Sequence, residues 1–278
     1  MPKNIVLNSL KESFAAIWSN KSLFFLLVAI QIIFFVSLFF LSSFYFTKIL
    51  FHSKEISDYI SLLKLDDVSV AANVLEQKNL LGEDPLLISR NFSEIVKNFK
   101  LYLFYTFILL ILFMSMLWSI TLRLIYKDKF RQLLRIFSRN FIVALFYLGM
   151  IFLFFYSILN VSLFELAAEG IGLFKKYIPF LILSPILIYF MFISISLVHK
   201  VELKNIVQKT LSIGIKKIHY ILAAYFLNIL FFGISSFFYV YFIERNLFIM
   251  SLGMIFAILS FVFGRIFMIK VVDKISTV

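Results

Sequence analysis

The chain has 278 residues, of which 62% are hydrophobic, 19% aromatic and 15% charged, with a formal net charge of +12. Soluble domains are about 45–50% apolar and about 25% charged, so a cytosolic enzyme, a disordered chain and a coiled coil are set aside. With no cysteine there are no disulfides, thiolate metal sites or thiol nucleophiles, and a polytopic membrane protein is left.

Residues 1–21 read as an interfacial helix. Leu7, Leu10, Phe14, Ile17 and Trp18 share one stripe that excludes Asn8, Lys11 and Glu12. Such helices lie along the headgroup boundary with their apolar face down. Span 1 follows at 22–47. A spanning helix needs about 20 mostly apolar residues, because the hydrocarbon is about 30 Å thick and each residue rises about 1.5 Å. This run is too long for a cleavable leader and carries no small-residue cleavage site, so it is expected to be retained.

The outer loop, 48–100, is the longest connection. Ile56, Tyr59, Ile60 and Leu63 recur at helical spacing. Asp67 is placed as an N-cap, Gly82 as a stop, and Pro85 as a break. Phe92, Ile95, Val96 and Phe99 form a stripe leading into the next span. The expectation is a small helical cap, either an inert connector or a gating lid. Asn91-Phe92-Ser93 and Asn160-Val161-Ser162 fit the N-glycosylation pattern.

Span 2 is 101–122 and a basic loop follows at 123–140. There Phe130, Leu133, Leu134 and Phe137 line one face, while Lys127, Arg131, Arg135 and Arg139 recur every four residues along another. Each cation near an anionic leaflet contributes about 1 kcal/mol. These four are the candidate contacts for anionic lipid or for a protein partner at the cytoplasmic face; otherwise they only anchor the topology. Span 3 is 141–164. The outer loop 165–177 carries Glu165 and Glu169, which with Lys175 and Lys176 read as a solvated helix face.

Span 4, 178–198, contains Pro179 in its first turn and Pro185, which is expected to kink it. The basic loop 199–217 repeats the amphipathic theme, with Leu203, Ile206, Val207 and Leu211 opposed to Lys200, Lys204 and Lys209. Span 5 is 218–243, span 6 is 246–269, and 270–278 is a tail. In span 6 Gly253, Ala257, Ser260 and Gly264 fall on one face, a pattern that lets another helix approach closely. Arg265, near the predicted end of that span, is expected to snorkel to the headgroups.

The fold class is therefore all-α: six transmembrane helices, with amphipathic helices before spans 1, 3 and 5. The N-terminal segment, the two basic loops and the chain end after Gly264 together hold 17 basic and 4 acidic residues, the other connections 10 and 11. The positive-inside rule then places both termini in the cytoplasm of a plasma-membrane protein. It also accounts for the net charge without nucleic acid.

With Arg265 assigned to an edge, the span centres hold no ionisable residue, where membrane enzymes and ion-coupled carriers usually keep one. His52, His199 and His219 are scattered, and no catalytic, cofactor or metal site is predicted. The intramembrane polar residues that need partners are Gln31 and Asn228, for interhelical hydrogen bonds or for a polar substrate path.

The stretch Leu10-Lys11-Glu12-Ser13-Phe14-Ala15-Ala16-Ile17-Trp18-Ser19-Asn20-Lys21 before span 1, and Lys209-Thr210-Leu211-Ser212-Ile213-Gly214 before span 5, carry a resemblance. The layout resembles loosely defined six-span bacterial and archaeal membrane proteins, including the membrane domain fused to some glycerophosphodiester phosphodiesterases. The resemblance implies a membrane role in envelope or lipid homeostasis and no phosphodiesterase activity, whose soluble domain this chain lacks. The expected function is a non-enzymatic integral membrane protein. The alternative is a permease subunit for a hydrophobic or lipid-like substrate, energised by a separate ATPase.

Overall fold

A computed structural model describes residues 5–62, 84, 86–127, 130–159, 171–242 and 247–277. Among them are eight helices and no strand: α1 (Ile5–Ser19), α2 (Lys21–Leu62), α3 (Leu87–Tyr126), α4 (Phe130–Ile158), α5 (Ile171–Leu197), α6 (Leu203–Lys216), α7 (Ile218–Phe242) and α8 (Leu247–Thr277). Six of them, α2, α3, α4, α5, α7 and α8, are long and apolar enough to cross a membrane. They are apolar on every side because their surroundings are apolar on every side.

Two of the three amphipathic stretches are separate helices. Asn20 breaks α1 from α2, with its side-chain Nδ2 donating to the Leu124 carbonyl at 3.1 Å. Lys217 closes α6, its backbone N–H bonded to the Ile213 carbonyl. The middle stretch instead forms the opening turns of α4. Burial on α1 shows which way it faces: Ile5, Ser9 and Ser13 are buried, while Leu7, Phe14 and Trp18 are exposed. The small polar edge packs inward together with Leu10 and Ile17 of the apolar stripe, leaving Leu7, Phe14 and Trp18 exposed.

The chain divides into two units, one made of residues 1–36, 109–150 and 182–278, the other of 37–108 and 151–181. In the first, α8 packs along α7 and α1 lies against α8. Its core joins Trp118, Leu122, Met191, Ile193, Phe267 and Val271. At one end the polar groups tie the helices together. Asp273 pairs with Lys200 at 3.0 Å and accepts a hydrogen bond from Tyr126. Lys274 lies 2.6 Å from Glu12, so the first and last helices share that end. Deeper, Asn140 donates to Ser119 Oγ at 2.8 Å, and Tyr147, Ser194 and Thr210 form a hydroxyl chain with links of 3.0 Å. These partners satisfy groups that would be costly to leave bare in an apolar interior.

In the second unit the helices run past the predicted span ends. α2 continues to Leu62 and α3 begins at Leu87, so most of the expected cap consists of helix extensions. Rings hold this unit: Phe107 stacks on Phe152 at 4.5 Å and Phe154 on Phe180 at 4.4 Å. Asn91 is 7% exposed and its Oδ1 lies 2.7 Å from His52 Nδ1. That burial contradicts the reading of Asn91 as a glycan acceptor. Leu63, Asp67, Gly82, Pro85, Asn160, Glu165, Glu169 and the Lys176 side chain lie outside the described residues.

Candidate functional site

The residues proposed for packing on α8 do face α7. A Cβ on Gly253 would come within 2.7 Å of the Tyr239 backbone nitrogen, so only glycine permits this approach. Ser260 Oγ lies 3.1 Å from Ser235 Oγ, and the Gly264 carbonyl accepts from Asn228 Nδ2 at 3.3 Å. Ala257, on the same face, is half-buried. The proline residues of α5 leave its helix unbroken from Ile171 to Leu197, through both Pro179 and Pro185.

Above the core of the first unit the same α7–α8 pair opens into a cavity of about 340 Å³. That is within the range of about 300–1,000 Å³ usual for ligand sites. Most of its wall is ring and aliphatic surface, from Phe34, Met114, Leu117, Phe192, Phe232 and Phe261. Both intramembrane polar residues line it, Gln31 from α2 and Asn228 from α7, although nothing in their sequence positions pairs them.

Arg265 lines it too. Rather than reaching for a headgroup, its guanidinium turns inward, where Nη1 donates to Gln31 Oε1 at 2.6 Å. Two rulers give the depth. Gln31 is ten residues past Lys21, about 15 Å along α2, and Arg265 is five residues before Lys270, about 8 Å along α8. If charged groups mark the edge of a hydrocarbon layer about 30 Å thick, the guanidinium sits about 8–15 Å inside it. The expected snorkelling is corrected here. The reason is that Gln31 of α2 accepts the guanidinium inside the helix bundle.

Gln31 offers Arg265 a dipole and no charge, so the cation is not neutralised by that contact. Nε and Nη2 of Arg265 are buried without a hydrogen-bond partner. So are Trp118 Nε1 and Asn228 Oδ1 on the same cavity. Trp118 is only 2% exposed. A buried cation with unmet donors costs several kcal/mol unless something else supplies the counter-charge.

The basic quartet is divided by the structure. Lys127 stops α3 with a left-handed backbone, φ 56°. Arg131 and Arg135 are exposed, whereas Arg139 is half-buried and donates through Nη2 to the Val201 carbonyl. Arg135 and Arg139 rim a depression of about 230 Å³ together with His199, whose ring stacks on Tyr126. Arg139 thus holds α4 to the α5–α6 connection, and the two exposed arginines carry any outside contact.

Fold and composition together define a multi-pass helical membrane protein. No protein-family model, curated protein or solved structure matches the chain.

Proposed function

We propose that the protein is a non-enzymatic membrane protein that takes a lipid-like molecule into the cavity beside Arg265, serving envelope or lipid homeostasis, with both termini in the cytoplasm of the plasma membrane. The single observation carrying this reading is an apolar cavity at membrane depth with a buried cation in its wall. An ionisable residue at that depth is expensive, and membrane proteins keep one where it meets a ligand or an ion path. Among the described residues the cavity wall holds one cation and a few neutral polar groups, and no His or carboxylate to pass protons or activate water.

Native mass spectrometry after gentle extraction tests it. The wild type should retain a lipid-like mass, and Met114→Trp, which fills the cavity, should release it. An empty wild-type protein, or equal retention by the variant, refutes the reading. The permease alternative draws on the exposed Arg131 and Arg135, which could receive an acidic surface of a separate ATPase. A stoichiometric ATPase recovered in a mild-detergent pull-down would favour it.

A further inference from the structure

We infer that the cavity recognises the oxyanion of an acidic amphiphile, a carboxylate or phosphate carried on an acyl chain, through the Nε–Nη2 edge of Arg265. The inference rests on the lipid-binding reading and adds the chemistry of the headgroup. A planar guanidinium presents forks of parallel N–H bonds that match two oxygens of a carboxylate or phosphate. In Arg265 the Gln31 amide occupies Nη1, the nitrogen away from this edge. Nε and Nη2, which share the side-on edge, are both buried and unpartnered, and Arg265 forms no ion pair among the described residues. Gln31, itself 3% exposed, holds Nη1, so Nε and Nη2 are the donors left for a ligand. Trp118 Nε1 and Asn228 Oδ1, on two other residues that line the cavity, are likewise buried and without a hydrogen-bond partner.

A free inorganic anion would be a poor fit, because the rest of the wall is aromatic and aliphatic. The rim suits a chain instead: Ile229, Phe232 and Phe261 line the cavity and are also exposed, so it opens sideways at the depth of the acyl chains. An acidic lipid entering there supplies the missing counter-charge while its tail stays in apolar surroundings.

The protein carries its own reporter. It has two tryptophans, Trp118 on the cavity wall and Trp18, which is 76% exposed on α1. In Trp18→Phe protein the remaining fluorescence comes from Trp118, which a brominated chain quenches on contact. Three probes share one chain: dibromostearic acid at a pH where it is ionised, its methyl ester, and the corresponding lysophosphatidate. The acid or the phosphate should quench at a concentration about ten-fold or more below the ester, the ratio expected of a charge-assisted fork. Whichever is stronger identifies the oxyanion. Arg265→Gln should erase the difference and Arg265→Lys should keep part of it. Equal quenching by all three probes overturns the headgroup assignment and leaves lipid binding standing. No quenching by any, with a dimer in native mass spectrometry, would mean that a second chain covers the cavity, and both readings would fall. The acid-to-ester comparison needs no change at Arg265, so a poorly folded variant does not remove the test.

Discussion

Gly253→Ala isolates the close contact on which the α7–α8 pair is built. The new Cβ would lie 2.7 Å from Tyr239 N, 3.1 Å from its Cα and 3.2 Å from Phe238 C. Carbon contacts are optimal at about 3.5–4.0 Å, so the helices must part by roughly 0.5–1 Å. All three atoms are backbone, so no side chain can rotate to make room. Overpacking of this kind costs about 1–3 kcal/mol, while replacing a helical glycine by alanine returns about 1 kcal/mol of propensity. Since the obstacle is rigid, the net result should be a loss of about 1–2 kcal/mol. Gly149 and Gly233 are the internal controls. Both are helical, and a Cβ at either meets nothing within 4 Å. Alanine there should be neutral or stabilising by up to about 1 kcal/mol. Thermal melts of the three variants in one detergent measure the contrast directly. If Gly253→Ala melts at or above Gly233→Ala, the seam is looser than described and the reasoning fails.

Three further outcomes follow from the polar groups. Gln31→Leu should cost about 1.5–3 kcal/mol by stripping a hydrogen bond from a buried cation, and adding Arg265→Met should cost less than the two single changes summed; additive losses in denaturant titration would show that the pair is not coupled. Arg131→Gln with Arg135→Gln should lower the anionic phospholipid that co-purifies without moving the melt, whereas Arg139→Gln should lower the melting temperature because it ties α4 to Val201; identical behaviour of all three arginines would refute that division. Because the chain lacks cysteine, Ser57→Cys and Thr277→Cys give single thiols, which an impermeant maleimide should label from outside the cell and from the cytoplasm respectively; labelling of both from one face would overturn the proposed orientation.

The helical class was legible because hydrocarbon imposes one requirement on every span, a long run without unpaired polar groups, and that requirement is local. The small-residue stripe on α8 was legible for a similar reason: Gly253, Ser260 and Gly264 reveal a close approach by their size alone. Facing partners were not legible. Asn140 falls in a segment that reads as basic loop, yet it is fully buried because Ser119, in the preceding helix, accepts its amide. The extension of α2 past residue 47 and the early start of α3 were also obscured. Charged positions such as Lys54, Glu94 and Lys97 read as loop when only apolar runs are counted, but an amphipathic helix carries them without strain.

Arg265 shows the same limit at the site itself. A charge-free window ends span 6 at Gly264 and assigns the next residue to the headgroups. That inference assumes that a charge in hydrocarbon has no partner. Here Gln31, 234 positions away, holds the guanidinium, while Lys274 meets Glu12 and Asp273 meets Lys200, so α8 runs through three further charged positions. Each contact lets the helix continue past the end of the apolar run. The available sequence signal was a polar amide ten residues inside span 1, with no partner of its own on that helix. A lone glutamine at membrane depth needs a donor, and the arginine at the end of the small-residue face was the strongest one on offer. Partner accounting, added to hydropathy, would have brought the two together before any coordinates did.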